Sequence, residues 1–279
     1  MDPNIVRKGE VFRDLHLQDG IFVMPNAWNA GSAYLLAAAG FAAIGTTSAG
    51  IAYGLAIPDY EGRLSRDASM QETSRITAAV DVPISVDAEN GYGHEPEVVA
   101  ETIHAVVEAG AVGASIEDHP GNLEIPLYDR TQAVERIRAA RSAADSIGIP
   151  FTLTARAECY FVDHPEPFAD SVERVNLYRE AGADCLYVPG VSDAKTIAAL
   201  VREVDAPANV VMGLVGAPLT VTQLEDLGVK RISIGGSLAR ATFALIRRAA
   251  EEIRDNGTFT FSNQQIPDDE LCRLFSDRM

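Results

Sequence analysis

Acidic side chains and one arginine stand at the ends of three successive short apolar runs in this sequence. Asp87 and Glu89 end one run, Glu117 ends the next, and Arg156 ends the third. Since alternate side chains of a strand share a face, Asp87 and Glu89 point the same way, into the interior to which Glu117 and Arg156 also point. Crowded carboxylates are costly to ionise, and oxygen ligands of this kind suit a hard divalent cation. The pattern predicts a site for Mg²⁺, or Mn²⁺ in its place.

The elements that would position these side chains alternate along the whole chain. Short β-branched or aromatic runs bounded by Gly, Pro or Asp are separated by amphipathic helical patterns, which is typical of parallel βαβ units. Eight such units favour a closed (β/α)8 TIM barrel, whose catalytic groups lie at the carboxyl ends of the strands. The predicted strands are 21–25, 42–47, 83–88, 113–118, 151–156, 184–189, 208–213 and 230–235.

We predict one barrel domain over residues 1–279. An extra helix at about 4–18 precedes the first strand, and a tail at about 256–279 follows the last barrel helix. The segments 49–67 and 119–130 are long, contain Gly and Pro, and follow strand ends that carry functional side chains. They are predicted to form a lid that closes over the substrate.

Composition excludes several classes of protein. Of the 279 residues 47% are hydrophobic, enough for one large core, and 23 basic against 40 acidic residues give a net charge of −17. So acidic a chain is not expected to bind nucleic acid or an anionic membrane. The three cysteines fit neither a disulfide framework nor a CxxC metal site, and no secretory or membrane segment is visible. We therefore expect a cytoplasmic protein.

Four segments resemble the isocitrate lyase/phosphoenolpyruvate mutase superfamily. VDAENGYG (86–93) is similar to that family's V/L-D-A-D-x-G-Y-G strand end, and it is followed in the expected order by SIEDH (115–119) and TARAE (154–158). PNAWNAGSAYLLAAAGFAAI (25–44) is similar to the family's opening strand and helix. The resemblance extends over about residues 10–255, and it implies a Mg²⁺-dependent enzyme that acts on a small 2-oxo acid or phosphonate.

The resemblance also implies roles for single residues. Asp87 matches the acid that holds Mg²⁺ and engages the substrate through it, Glu89 stands where the family usually has a second acid, Asp, and Glu117 matches the third acid. Asp59 matches an acid that binds metal-bound water or assists the chemistry. Arg156 matches the arginine that binds the substrate and takes part in catalysis.

A second group of residues matches the family less closely. Thr47, Ser48 and Ala49 align with a Ser-Gly-Gly or Ser-Gly-Leu stretch whose backbone N–H groups bind the substrate carboxylate. The loop 119–130 lacks the Cys of the isocitrate and methylisocitrate lyases and the Lys of the mutases, and Asn122 is the candidate equivalent of the mutase Asn. Tricarboxylate cleavage in the manner of those lyases is therefore not expected.

Several interpretations stay open. The favoured one is a lyase, mutase or decarboxylase that breaks a C–C or P–C bond beside a 2-oxo acid, on oxaloacetate, a substituted malate or phosphonopyruvate. The alternatives are a relative that binds a 2-oxo acid without turnover, and an unrelated barrel aldolase with a phosphate site at IGGS (234–237). His119, beside Glu117 at the barrel mouth, is a further catalytic candidate. Relatives form homo-oligomers with a swapped last helix, so a dimer or tetramer of this kind is expected.

Overall fold

Strands and helices alternate along the computed structural model, which describes residues 2–121, 124–214 and 216–276. The strands are β1 Phe22–Met24, β2 Asn26–Ala27, β3 Ile44–Thr46, β4 Ile84–Asp87, β5 Gly113–Glu117, β6 Thr152–Arg156, β7 Cys185–Tyr187, β8 Ala208–Val211 and β9 Arg231–Ser233. The α-helices are α1 Pro3–Leu17, α2 Ala30–Ala38, α3 Ser48–Gly54, α4 Arg66–Ala79, α5 Pro96–Glu108, α6 Arg130–Ile147, α7 Pro167–Glu180, α8 Ala194–Glu203, α9 Val221–Asp226, α10 Ser237–Asn256 and α11 Asp268–Ser276.

The strands form one parallel sheet in the order β1-β9-β8-β7-β6-β5-β4-β3-β2. β1 and β2 are two halves of one strand divided at Pro25, which has no N–H to give to a ladder. The first half pairs with β9 and the second with β3, so the sheet returns to its own beginning. The eight predicted strands are thus confirmed, and the fold is the predicted (β/α)8 TIM barrel.

Local signals set the bounds of the barrel helices. Asn29 and Ser32 form a capping box at the start of α2, and Asp129 caps α6 by accepting a hydrogen bond from the backbone N–H of Gln132. α6 ends at Gly148, whose φ of +77° lies in the left-handed region that glycine adopts most readily. These caps satisfy backbone groups that a helix end leaves unpaired.

α1 packs against the amino ends of the strands. Phe12 is fully buried there among Phe22, Met24, Val112 and Ile149, all of which lie at or near strand beginnings. This apolar cluster closes the end of the barrel opposite the carboxyl ends of the strands. α1 spans Pro3–Leu17, where the sequence predicted an extra helix at about 4–18, and the mouth at the other end is left for the site.

Two findings refine the description of the chain. The segment 49–67 is not a continuous loop, because α3 occupies its first part and Thr47 caps that helix through the N–H of Gly50. The chain divides into two compact units, residues 1–236 with the nine strands and residues 237–279 with α10, a 3₁₀ turn and α11. The single-domain organisation and the swapped last helix stay predictions. Over the described residues, no helix has the length and apolar character needed to cross a membrane.

Candidate active site

Arg156 is the centre of a charged cluster at the carboxyl ends of β4, β5 and β6. Its Nη1 lies 3.1 Å from Oε2 of Glu117 and 3.5 Å from Oδ1 of Asp87, and its Nε contacts Oε1 of Glu158. Register explains the convergence, since Glu117 is the ladder partner of Arg156 and Asp87 ends the next strand. The aromatic ring of Tyr187, from β7, lies 5.2 Å from the guanidinium carbon.

Burial makes it costly for the carboxyl groups of this cluster to be charged. It raises the pKa of Glu89 to about 8, with the neighbouring charge of Asp87 acting in the same direction. It raises the pKa of Asp59 to about 6 and that of Glu158 to about 7, although the charge of Arg156 opposes both shifts. One guanidinium therefore does not balance the acids that face it.

Asp87 is held by the turn that begins α3. Its Oδ2 accepts hydrogen bonds from the backbone N–H of Ser48 at 3.0 Å and from the Ser48 hydroxyl at 2.7 Å, and its own N–H donates to Oγ1 of Thr46. Of the three residues predicted to bind a substrate carboxylate, Ser48 is thus bonded to the predicted metal ligand. Thr47 caps α3, and Ala49 lies beside it at the start of that helix.

The predicted residues Asp59, Glu89 and His119 also lie at this mouth. The charge of Asp87 acts on the carboxyls of both Asp59 and Glu89, which places the two acids at its side. His119 is buried, its Nδ1 accepts a hydrogen bond from the N–H of Gly121 at 3.2 Å, and burial lowers its pKa. Asn122 lies outside the described residues.

Tyr60 is a site residue that the sequence did not reveal. It lies in the segment between α3 and α4, and its hydroxyl accepts a hydrogen bond from Nη2 of Arg156 at 2.9 Å. Its ring contacts the ring of His119 edge-on, at 5.7 Å between centroids, and the ring of Phe161 at 6.1 Å. Since 96 residues separate Tyr60 from Arg156, no local period could have linked them.

A buried ion pair supports the site from behind. Asp118, whose side chain alternates away from that of Glu117, binds Nη1 of Arg174 at 3.1 Å and the hydroxyl of Tyr178 at 2.7 Å through Oδ2. Its Oδ1 accepts the backbone N–H of Glu158 at 2.9 Å. Asp118 therefore fixes the segment after β6 that carries Glu158 next to Arg156.

The turn at 234–237 is bound within the protein itself. The backbone N–H groups of Ile234 and Gly235 both donate to Oδ1 of Asn26 at 2.9 Å, while the side-chain amide of Asn26 donates to the carbonyl of Thr46. Asn26 thus ties the first strand to its neighbours on both sides. These two amides are not available to a phosphate in this arrangement, which weighs against the aldolase alternative.

Cys159 lies behind the site as a structural thiol. It is fully buried, its Sγ donates to Oδ2 of Asp170 at 3.3 Å, and burial raises its pKa to about 12. Because the thiolate is the nucleophilic form, this environment does not suit a catalytic cysteine.

A parallel barrel with acids and an arginine gathered at its carboxyl mouth has the arrangement of the (β/α)8-barrel enzymes, whose catalytic residues lie at the carboxyl ends of the strands. Within that class, the family model described as phosphoenolpyruvate phosphomutase matches residues 12–254. The chain belongs to the phosphoenolpyruvate mutase/isocitrate lyase superfamily, as its sequence motifs predicted.

Individual relatives cover almost the whole chain. A crystal structure from Burkholderia cenocepacia, provisionally assigned as a lyase or mutase, is 49% identical, covers 98% of each chain and superposes with a TM-score of 0.95. A second structure from that organism, provisionally assigned as a phosphonomutase, is 34% identical, covers 91% of this chain and 100% of its own, and gives a TM-score of 0.80. The 2-methylisocitrate lyase of Aeropyrum pernix is 32% identical over 90% of this chain and 82% of its own length.

Proposed function

We propose that this protein is a divalent-metal-dependent lyase that cleaves a C–C bond beside the 2-oxo or 2-hydroxy carbon of a small dicarboxylic acid. The observation that carries the proposal is the placement of Arg156 against Glu117, Asp87 and Glu158 at the barrel mouth. A buried guanidinium beside acids can bind a substrate carboxylate and stabilise negative charge that grows during bond cleavage. Oxaloacetate and substituted malates are the substrates that fit this chemistry.

The residues present fit a divalent cation. Oδ1 of Asp87 is buried and accepts no hydrogen bond among the described residues. Burial is the largest cause of the raised pKa of Glu117, and the charges of Asp87 and Glu89 both raise it further. No three His, Cys, Asp or Glu side chains in the described part of the chain form a ready-made metal cage. Mg²⁺ does not require one, since one or two carboxylates suffice when waters and substrate oxygens complete its shell.

Asp87 would hold the cation directly, with Glu89 and Glu117 binding its waters. When bound, a divalent cation supplies Lewis-acid stabilisation of negative charge on the substrate oxygens. Ser48 keeps Asp87 in place through two hydrogen bonds, so the acid is oriented before any ligand arrives. Pre-organisation of this kind lowers the cost of binding.

The chain's own residues then bind the substrate and handle its protons. Arg156 binds the substrate carboxylate through nitrogens that also face Glu117. The backbone N–H groups of Thr47 and Ser48 donate to the Ala27 carbonyl and to Asp87, so Ala49 is the member of the predicted stretch proposed to bind the carboxylate through its N–H. Asp59, partly buried and next to Asp87, is the candidate base that takes the substrate hydroxyl proton. Glu158, held by Asp118, keeps Arg156 oriented throughout.

A substrate screen tests this proposal. The purified chain with Mg²⁺ or Mn²⁺ is given oxaloacetate, a series of substituted malates and phosphonopyruvate, and products are followed by NMR. We expect a 2-oxo acid or oxalate together with a carboxylic acid from at least one C–C substrate, and loss of this turnover on chelation. Tight binding of oxalate without turnover of any compound would instead favour the binding-protein alternative.

Calorimetry with Mg²⁺ tests the metal ligand separately. Asp87→Ala should abolish Mg²⁺ binding, because it removes the carboxylate whose buried Oδ1 accepts no hydrogen bond among the described residues. Asp145→Ala, which removes an exposed acid of α6, is the matched control and should bind as the wild type does. Equal Mg²⁺ affinity in Asp87→Ala would refute the assignment.

P–C bond chemistry on phosphonopyruvate is the second candidate. The family model is described as phosphoenolpyruvate phosphomutase, and the 34% identical relative is provisionally assigned as a phosphonomutase. A guanidinium binds a phosphonate as well as a carboxylate. In the screen, phosphate or phosphoenolpyruvate formed from phosphonopyruvate, with no C–C substrate consumed, would favour this candidate.

A further inference from the structure

Cleavage of a C–C bond creates a need for a proton donor in the proposed site. The bond's electron pair passes to the departing carbon, which must take up a proton before it leaves as a stable acid. Glu117 and Asp87 contact Nη1 of Arg156, and Glu158 contacts its Nε. The remaining nitrogen, Nη2, is where a neutral proton donor could contact this guanidinium.

Tyr60 contacts that remaining nitrogen. Nη2 of Arg156 donates to the Tyr60 hydroxyl oxygen at 2.9 Å, so the phenol and the acids face different nitrogens of one guanidinium. Because the phenol oxygen accepts this hydrogen bond, its own hydrogen remains available for a ligand. Burial raises the pKa of Tyr60, while the positive charge of Arg156 acts against that shift and would stabilise the phenolate that proton donation leaves behind.

The backbone and the neighbouring loops hold Tyr60 in this position. Its φ of +62° is left-handed, a conformation that a residue with a side chain keeps only when its surroundings hold it there. His119 follows β5 and Phe161 follows β6, so three loops meet at the Tyr60 ring. With 37% of its surface exposed, Tyr60 lies at the open mouth, where a ligand can reach it.

We propose that Tyr60 is a catalytic residue, whose hydroxyl donates the proton that the departing carbon of the substrate takes up. This inference rests on the proposed lyase function. With a substituted malate, the C2 hydroxyl gives its proton to a carboxylate of the site and the C2–C3 bond breaks. The electron pair goes to C3, and the Tyr60 hydrogen moves to C3. The carboxylate then gives up the proton it took, and the phenolate beside Arg156 takes up a proton through water, so both groups regain their starting forms.

The other O–H and N–H groups near Arg156 are less well placed. The ring of Tyr187 faces the guanidinium, and its hydroxyl lies beside Ser233. Nδ1 of His119 accepts a hydrogen bond from the backbone N–H of Gly121, and the His119 ring makes an edge contact with the ring of Tyr60. Among the described groups, the Tyr60 hydroxyl is the neutral donor in direct contact with Arg156.

Steady-state kinetics of Tyr60→Phe on the best C–C substrate tests the inference. The variant keeps the ring and its aromatic contacts and removes only the hydroxyl. We expect kcat to fall about 10²–10⁴-fold, the usual contribution of a positioned proton donor, while KM changes by less than about threefold. Affinity for oxalate with Mg²⁺, measured by calorimetry, should be unchanged, since oxalate takes up no proton. Tyr160→Phe removes a hydroxyl from the loop after β6 and should keep wild-type kcat.

Each result has a distinct meaning. A Tyr60→Phe kcat within about threefold of wild type overturns the inference and leaves the proposed function intact. Parallel losses of kcat and oxalate affinity also overturn it, because Tyr60 would then only position Arg156. If the wild type cleaves no C–C substrate, the proposed function fails first and the role of Tyr60 as its proton donor fails with it.

Discussion

Arg156 stands between acids that would repel one another and a phenol that carries no charge. Its guanidinium is always charged and presents several N–H groups in a rigid plane. Nη1 serves the carboxylates of Glu117 and Asp87, while Nη2 serves Tyr60. One side chain thereby contacts residues from neighbouring strand ends and a loop. Substitution with lysine, which has a single ammonium group, should therefore lower activity.

Arg156→Lys is expected to lower kcat by about 10²–10³-fold and not merely to raise KM. A lysine keeps one positive charge but cannot reach Glu117 and Tyr60 with separate nitrogens, so charge stabilisation in the transition state weakens. Steady-state kinetics on the best substrate separates the two constants. Arg138→Lys, a change on the solvent side of α6, is the control. A variant with raised KM and intact kcat would mean that Arg156 only anchors the ground state.

At the scale of elements, two segments meet above the site. Gly62 and Gly121 lie so close that a Cβ on Gly121 would come within 3.3 Å of the Cα of Gly62. The base of the second segment is fixed, since the N–H of Tyr128 donates to the carbonyl of Asp118 at 2.9 Å. The lid was predicted from residues 49–67 and 119–130. Because α3 occupies the beginning of the first segment, only the part of that segment after α3 can belong to the lid.

Hydrogen exchange in residues 55–65 and 119–128 should slow several-fold when Mg²⁺ and oxalate bind together, because closure would withdraw these amides from water. Mass spectrometry of peptides measures this, with α6 peptides as the internal control. Gly121→Ala should reduce the protection, since its φ is +72° and its Cβ would crowd Gly62. Unchanged exchange at saturating oxalate would show that other segments form the lid.

α1 joins the barrel through a histidine that must be neutral. Nε2 of His16 accepts a hydrogen bond from Nη1 of Arg231, and its Nδ1 donates to the carbonyl of Phe12. Burial, with the charge of Arg231 acting in the same direction, lowers the pKa of His16 from 6.5 to about 3. The unfolded chain therefore binds a proton between these pH values that the folded chain does not bind.

His16→Gln tests this linkage, because a glutamine amide can accept from Arg231 and donate to Phe12. The free energy of unfolding of the wild type, relative to that of His16→Gln, should fall by about 1.4 kcal/mol per pH unit below pH 6.5. Glu158 and the other buried acids contribute to the free energy of unfolding with the opposite pH dependence. Their contribution is the same in both proteins, so it cancels when the two free energies are subtracted. Urea denaturation between pH 5 and 7.5 measures it, and His104→Gln, an exposed change on α5, should leave the slope unaltered. Parallel curves for wild type and His16→Gln would contradict the assignment.

The barrel elements show which parts of the candidate site could be predicted from the sequence and which could not. Alternation placed Asp87, Glu117 and Arg156 inward at strand ends, and parallel pairing then required them to meet. The same reasoning could not find Tyr60, since a loop's path to a strand 96 residues away depends on its tertiary packing. It also could not show that Asn26 would bond the amides of the turn at 234–237, because that bond forms only when the barrel closes.

At the scale of the whole molecule, the C-terminal unit presents an apolar stripe. Leu238, Leu245, Ile246 and Ile253 are all exposed, and their spacing of seven and eight residues places them on one face of α10. A contiguous exposed apolar face of this kind marks an interaction surface. We therefore expect a second copy of the chain to cover this stripe, as the resemblance to swapped-helix oligomers predicted.

Sedimentation velocity tests this expectation directly. The wild type should sediment as a dimer or tetramer at micromolar concentration, because association would remove the apolar stripe from water. Leu245→Glu combined with Ile253→Glu should yield monomers, since two charges in an apolar contact cannot be desolvated without partners. Glu251→Lys, on the opposite face of α10, should leave the assembly intact. A wild type that stays monomeric at these concentrations would mean that the stripe serves a different contact, and a double variant that still assembles would place the interface elsewhere on the molecule.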